Sequence, residues 1–236
     1  MIHYEERYKA ISKDWDNSLI ILSNQLRKFI KQKGNIKILD AGCGRGNYLI
    51  DENRKEIDWA SGIDISPAAT KGNICLDEIK FGDLENIPYQ DKTFEAVTSI
   101  FVLEHLKNPK IVFKEIHRVL KKGGIFLFLT PNKDSFLVRV KNLVNAVSLN
   151  GKLNYWLFGR KEDDIFPTYY LANEVTSLKH DLEVAGFQNC EVKTNFEPGY
   201  TTFGKFSFWL TRNIEYLGRL FKTTATHHHL VGWAIK

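Results

Sequence analysis

An α/β fold, a mostly parallel sheet with helices on both faces, is predicted by three observations. Short apolar runs alternate with longer segments of helical period from about residue 16 to the C-terminus. The first run, Ile36–Asp40, feeds into Gly42-Cys43-Gly44-Arg45-Gly46, the chemistry of a tight strand-to-helix turn. No internal repeat or flexible linker interrupts the 236 residues, of which 43% are hydrophobic and 26% charged, enough apolar mass for a full core. Strands that alternate with helices are joined by crossovers, and crossovers make neighbouring strands parallel.

The elements follow in order. Leu19, Ile20, Leu22, Leu26, Phe29 and Ile30 recur at helical spacing, so residues 16–32 read as an amphipathic helix closed by Gly34. After the strand Ile36–Asp40 come a helix over 46–55, a strand Trp59–Asp64 and a weaker strand Ile79–Asp83. Phe94–Ile100 is a strand, 108–121 a helix, and Gly123-Gly124 a turn into the strand Ile125–Thr130. A helix over 171–186, a strand Glu191–Phe196 and a last strand near His228–Ile235 complete the set. Residues 131–168 and 197–226 break the alternation, are rich in aromatic residues and exceed ordinary connections. They read as helical lid insertions above the sheet of one domain spanning 1–236.

Composition excludes several classes. With 16 Gly, 6 Pro and 3 Cys the chain is neither collagen-like, low-complexity nor a disulfide scaffold. Cys43, Cys75 and Cys190 form no C-x-x-C pair, which points to a reducing compartment and no zinc site. The first ten residues are charged and polar, unlike a signal peptide, and no apolar run approaches the roughly 20 residues of a membrane span. A cytoplasmic location is expected.

The glycine turn lets a backbone bend sharply and a ligand lie against it, although tight turns without ligands use the same residues. Gly62-Ile63-Asp64-Ile65-Ser66 adds a carboxylate at the end of the next strand, about 20 positions on, where it can accept both hydroxyls of a ribose. A dinucleotide fingerprint would read G-x-G-x-x-G; here the run is D-x-G-x-G-x-G. Asp40 before the first glycine repels a pyrophosphate and suits an ammonium, which favours an amino-acid-bearing nucleoside.

Further segments fall in register: Gly82-Asp83-Leu84 with Ile87-Pro88, Asp91-Lys92-Thr93-Phe94-Glu95-Ala96-Val97, Leu103-Glu104-His105-Leu106, and Val119-Leu120-Lys121-Lys122-Gly123-Gly124. Together with the glycine turn, over residues 36–131, they make the chain resemble a class I S-adenosylmethionine-dependent methyltransferase, of the small-molecule type related to ubiquinone/menaquinone biosynthesis enzymes. The resemblance implies a Rossmann-like seven-stranded sheet of order 3-2-1-4-5-7-6 with the last strand antiparallel. It implies that Asp40, Gly42 and Gly44 line the methionine moiety and that Asp64 holds the ribose. Asp83 and Leu84 would meet the adenine, Ile65 would pack on it, and Ile100 or Phe101 would close the methionine side. Asp83 as a helix N-cap, Asp64 as a turn residue, and Ile65 and Ile100 as plain core stand as alternatives. The stretch between Asp64 and Asp83 leaves little room for the family's long helix, which predicts an open adenine edge.

Methyl transfer needs acceptor, methyl and sulfur held in line, and a hydroxyl acceptor also needs a base. His105, just past the fourth strand, is the candidate base; a structural histidine capping a turn is the alternative. Some quinone-methylating relatives carry a Glu-x-x-Glu-His metal site here, but Phe101 stands where the first Glu would be, so no metal is expected. His227-His228-His229 reads as a strand entry, since consecutive strand side chains point to opposite faces. Tyr169 and Tyr170 could meet an acceptor or pack the first insertion on the core. A nucleic-acid methyltransferase is the rival enzyme, but Ser99-Ile100-Phe101-Val102 replaces the Asn/Asp-Pro-Pro-aromatic segment of amino-group methylases, and no nucleophilic Cys follows that strand. A cofactor-binding subunit without catalysis is the alternative from another class.

The chain carries a net +5, and each insertion contributes +2 of it. Within 131–168 the acids gather at one end, so 133–161 alone is +5. Basic residues among Phe136, Tyr155, Trp156, Phe158, Phe203, Phe206, Phe208, Trp209, Tyr216 and Phe221 suggest an anionic, partly apolar acceptor or a peripheral membrane contact; an ordinary lid or a homodimer interface is the alternative.

Overall fold

The structure, a computed structural model, describes residues 2–13, 15–139, 166–201, 204–221 and 223–236. The 140–165 part of the first insertion, with Lys141, Lys152, Tyr155, Trp156, Phe158 and Arg160, lies outside the described residues, as do Phe203 and Lys222.

Seven strands form one sheet: β1 (Ile36–Ala41), β2 (Ile57–Asp64), β3 (Glu78–Phe81), β4 (Phe94–Ile100), β5 (Leu120–Pro131), β6 (Gln188–Asn195) and β7 (His229–Ile235). Their order is β3-β2-β1-β4-β5-β7-β6, as the resemblance implies. The first five strands run parallel, and β7 runs antiparallel between β5 and β6. The helices are α1 (Ile2–Ile11), α2 (Ser18–Lys33), α3 (Tyr48–Asn53), α4 (Pro109–Val119), α5 (Val175–Val184) and α6 (Lys205–Leu220).

Strand periodicity divides the core. Ile36 and Ile38 of β1 join Leu22, Leu26 and Ile30 of α2 on one face; Leu39 and Ala41 join Phe113 and Ile116 of α4 and Leu178 of α5 on the other. Because both faces are covered, β5 reads as a continuous apolar run from Ile125 to Leu129, and β4 buries Thr98 and Ser99 between Val97 and Ile100.

Several boundaries differ from expectation, the N-terminal segment and the helix after the first insertion most of all. The N-terminal decapeptide, given no element from its polar sequence, forms α1; Tyr8 buries there with Trp15, Phe196 and Phe208. The helix expected from 171 starts at Val175, because Asn173 is fully buried and its Nδ2 donates to Thr130 Oγ1 and the Pro131 carbonyl, pinning the chain to the end of β5 first. Within 197–226 the described residues include a helix, α6 (Lys205–Leu220), as expected of that stretch. Between β2 and β3 the chain makes only turns, so Ile65, Ile74 and Phe81 stay exposed along that edge.

Candidate active site

The carboxyl ends of β1, β2 and β4 and the loops after them form the first half of the site. Gly42 and Cys43 donate backbone N–H groups to the Ile63 carbonyl (2.8 and 3.1 Å), folding the glycine turn onto β2. Gly42 sits at φ +81°, and a Cβ there would stand 2.3 Å from Val102 Cγ2, so only glycine fits beneath Val102. At Gly44 (φ +41°) a Cβ would meet nothing within 4 Å, leaving an open concavity over the backbone.

Asp40 ends β1 fully buried. Asn47 Nδ2 (2.7 Å) and Thr98 Oγ1 (3.0 Å) both donate to its Oδ1, and Oδ2 has no hydrogen bond among the described residues. Burial therefore outweighs the two bonds, and the carboxyl is pushed up to about 6. Asn47 also caps α3 by accepting Leu49 N–H, so the helix start and the carboxylate share one side chain. Asp64 spends an oxygen on each neighbour: Oδ2 accepts Gly44 N–H (2.9 Å) and Oδ1 accepts Ser66 N–H (2.8 Å). Each oxygen keeps a second lone pair for a ligand hydroxyl. Burial, then Asp40 and Asp64, pushes the Cys43 thiol up to about 12, which leaves it an inert packing group.

The second half lies at the ends of β4 to β7. His105 Nδ1 stands 2.7 Å from the Pro167 carbonyl, and its Nε2 stands 4.0 Å from Glu104 Oε1. A carbonyl only accepts, so Nδ1 carries the proton and Nε2 presents a lone pair. Glu104 is itself buried, accepts from Thr130 Oγ1 (2.9 Å), and receives the backbone N–H groups of Tyr169 and Tyr170 on its carbonyl.

The three consecutive histidines go to three different partners. His227 meets Thr194 Oγ1 (2.6 Å), His228 meets Ser135 Oγ (2.8 Å), and His229 meets Ser18 Oγ (3.0 Å) and Tyr200 Oη (3.0 Å). Burial, then His229, pushes His228 down to about 4, so it is neutral at physiological pH. Ser18 Oγ donates to Glu197 Oε1 (2.5 Å), so it accepts from His229 Nδ1, and Nε2 stands 3.0 Å from Tyr200 Oη. Buried Glu197 also accepts Ser18 N–H and the amides of Asn17 and Asn195. Sequence reading missed this cluster; its one local signal was a carboxylate, Glu197, directly after an apolar strand end.

The comparisons bear on this arrangement. A family profile described as methyltransferase domain matches residues 18–192. The chain belongs to that family. A probable S-adenosylmethionine-dependent methyltransferase of Mycolicibacterium smegmatis is 32% identical over 42% of this chain and 39% of its own length. A demethylmenaquinone methyltransferase of Chlorobaculum parvum is 24% identical over 73% of this chain and 74% of its own. The crystal structure of a SAM dependent methyltransferase from Archaeoglobus fulgidus superposes over 97% of this chain and 99% of that one, with TM-score 0.57 and 20% identity. The chain spans 39 to 61% of the length of the first curated relatives it matches.

Within this methyltransferase-family chain, Asp40, Gly42, Gly44 and Asp64 lie around one glycine turn, where Asp64 Oδ2 accepts Gly44 N–H and Asp40 Oδ1 accepts from Asn47. Leu84 packs its side chain into the core beside Ile63 and Ile87, so only its backbone can face a ligand. Phe101 (φ +57°) turns its ring onto His229, centroids 5.3 Å apart, and Val102 is the side chain that closes over the glycine turn. Ile100 is half-buried against the α2 face of the core. Asp83 caps a short 3-10 turn through Oδ1, accepting Glu85 N–H, and remains exposed. Ile65 is 64% exposed.

Proposed function

We propose that this chain transfers a methyl group from S-adenosylmethionine to an oxygen of a small or lipid-linked acceptor. The observation that carries the reading is the buried carboxylate of Asp40, bonded through one oxygen and pushed up to about 6, beside a glycine turn with open space over Gly44. Such a carboxylate calls for a cation, and the cofactor's amino group is one. Gly42 and Gly44 would cradle its methionine carbon chain, Asp64 would take the ribose hydroxyls, and Ile65 and Asp83 would meet the two sides of the adenine.

The bound cofactor supplies a sulfonium whose methyl is electrophilic; the chain's own residues align the acceptor and take its proton. His105 is placed for that proton. The Pro167 carbonyl fixes its tautomer, Nε2 carries the free lone pair, and Glu104 stands near enough to favour the imidazolium that forms. Tyr200, held on His229, offers a hydroxyl to the same acceptor from the other side of Phe101. An apolar acceptor suits the exposed aromatic residues Phe136, Phe166 and Tyr200 around these groups.

The test is transfer of label from methyl-tritiated S-adenosylmethionine into lipid, sugar and RNA extracts. Label in a lipid or small-molecule hydroxyl is expected; label in RNA alone would favour the nucleic-acid reading, and cofactor binding with no transfer the non-catalytic subunit. His105→Ala is expected to lower turnover by about a hundredfold or more with cofactor affinity unchanged. Unaltered turnover would remove His105 as the base.

A further inference from the structure

Helix α6 is built inside out. At about 100° per residue, Phe208, Thr211, Glu215 and Gly218 share one side, and this is the side that buries. Only Phe208 of the four is strongly apolar; it packs with Tyr8, Trp15 and Phe196. The opposite arc, about 160° wide, holds Phe206, Trp209, Leu210, Asn213, Ile214, Tyr216, Leu217 and Leu220, followed by Phe221. All but Asn213 are large and apolar, and all but Asn213 are exposed: Phe206 by 75%, Trp209 by 54% and Phe221 by 76%. A water-facing surface helix has the reverse pattern, and an apolar patch of this extent marks an interaction face.

Charge identifies what the face meets. Lys205 and Arg212 occupy neighbouring angular positions between the apolar arc and the buried side. Trp209 and Tyr216 lie at the boundary between that cationic row and the apolar centre. The helix's one acid, Glu215, is buried away from this face. An apolar centre, aromatic residues at the margin and a cationic flank are the layers of a helix lying in a bilayer interface: the apolar arc enters the acyl boundary, Trp and Tyr sit at headgroup depth, and Lys and Arg meet anionic headgroups. A face made for a second copy of the chain would place opposite charges on its rim, whereas here the rim is cationic.

We infer that α6 docks the protein on an anionic membrane surface. The inference rests on the lipid-linked acceptor for its purpose, because α6 follows β6 and Tyr200 and so lies at the same sheet edge as the acceptor half of the site. Its test does not use the reaction. No helix among the described residues is long and apolar enough to cross a membrane, so attachment would be reversible and salt-sensitive.

The experiment is co-sedimentation of the full chain with phosphatidylcholine vesicles, with and without phosphatidylglycerol, at low and high salt. Binding to the anionic vesicles is expected to exceed binding to the neutral ones by about tenfold and to weaken at high salt. A variant with Phe206→Ser, Trp209→Ser and Leu217→Ser, all on the exposed arc, is expected to lose about tenfold or more of that binding while its melting temperature stays unchanged. Equal sedimentation of wild type and variant, or no binding to anionic vesicles at low salt, would overturn the inference. So would a dimer in sedimentation velocity that the variant abolishes without vesicle binding, which would assign the face to a second copy. Vesicle binding without methyl transfer would leave docking intact and count against the proposed reaction alone.

Discussion

The two halves of the site are built on different scales of the chain. The cofactor half is local: Asp40, Gly44, Asn47 and Asp64 lie within 25 residues and bond to one another across separations of 7 and 20. The acceptor half is assembled from the ends of the molecule. Ser18 meets Glu197 across 179 residues and His229 across 211, and Tyr200 closes the chain of bonds. A local half can be rigid as soon as its strands pair. The distant half is ordered only when β6 and β7 have joined the sheet, and each of its bonds has a larger loop to close.

The contrast can be broken first at Glu197. Four donors converge on this buried carboxylate, so Glu197→Gln, which turns one acceptor oxygen into a donor, should cost about 3 kcal/mol of folding stability. Urea denaturation reads this directly, and a loss below about 1 kcal/mol would mean that the cluster does not hold the acceptor half together. Cofactor affinity in the folded variant should be unaffected, since the two halves share no bond described here.

Asp64→Ala probes the other half. It removes a charged acceptor for ribose as well as the ties to Gly44 and Ser66, so affinity for S-adenosylmethionine should fall about a hundredfold by calorimetry. An unchanged affinity would detach the ribose from this residue.

Asp40→Asn should act in opposite directions on folding and binding. Burial raises the folded carboxyl from 3.8 to about 6, so the folded chain binds the proton more tightly than the unfolded one. On this account the ligand-free protein is most stable below the unfolded value and loses stability as pH rises through about 6. Asparagine keeps the oxygen that Asn47 and Thr98 use and removes the charge, so the variant should gain about 2 kcal/mol near pH 7 and lose the slope between those values. Its cofactor affinity should fall about tenfold. A pH-stability profile parallel to that of the wild type would show that Asp40 is not the titrating group.

Legibility in the sequence follows the same division. Phe94–Ile100 was readable to the residue because Phe94, Ala96, Val97 and Ile100 supply the apolar positions of a short buried strand around Glu95, Thr98 and Ser99. Asp40, Gly42, Gly44 and Asp64 were readable because turn chemistry and strand ends fix them locally. At Leu84 the neighbour Asp83 carries the polar signal, while the burial of the Leu84 side chain depends on α4 packing beneath it. Phe101, left-handed at the end of β4, turns onto His229 and leaves Val102 over Gly42, which no periodicity announces.

The sequence by itself determined the alternation of elements, the strand that carries each cofactor-facing acid, and the two aromatic, cationic stretches outside the core pattern. Only the tertiary structure decided that His229 belongs with Ser18, Glu197 and Tyr200, and that α6 turns its apolar arc outward. Periodicity gives the spacing of residues around a helix or strand but not which side meets the protein. That side is chosen by what the rest of the chain brings to it, here Tyr8, Trp15 and Phe196 beneath Phe208.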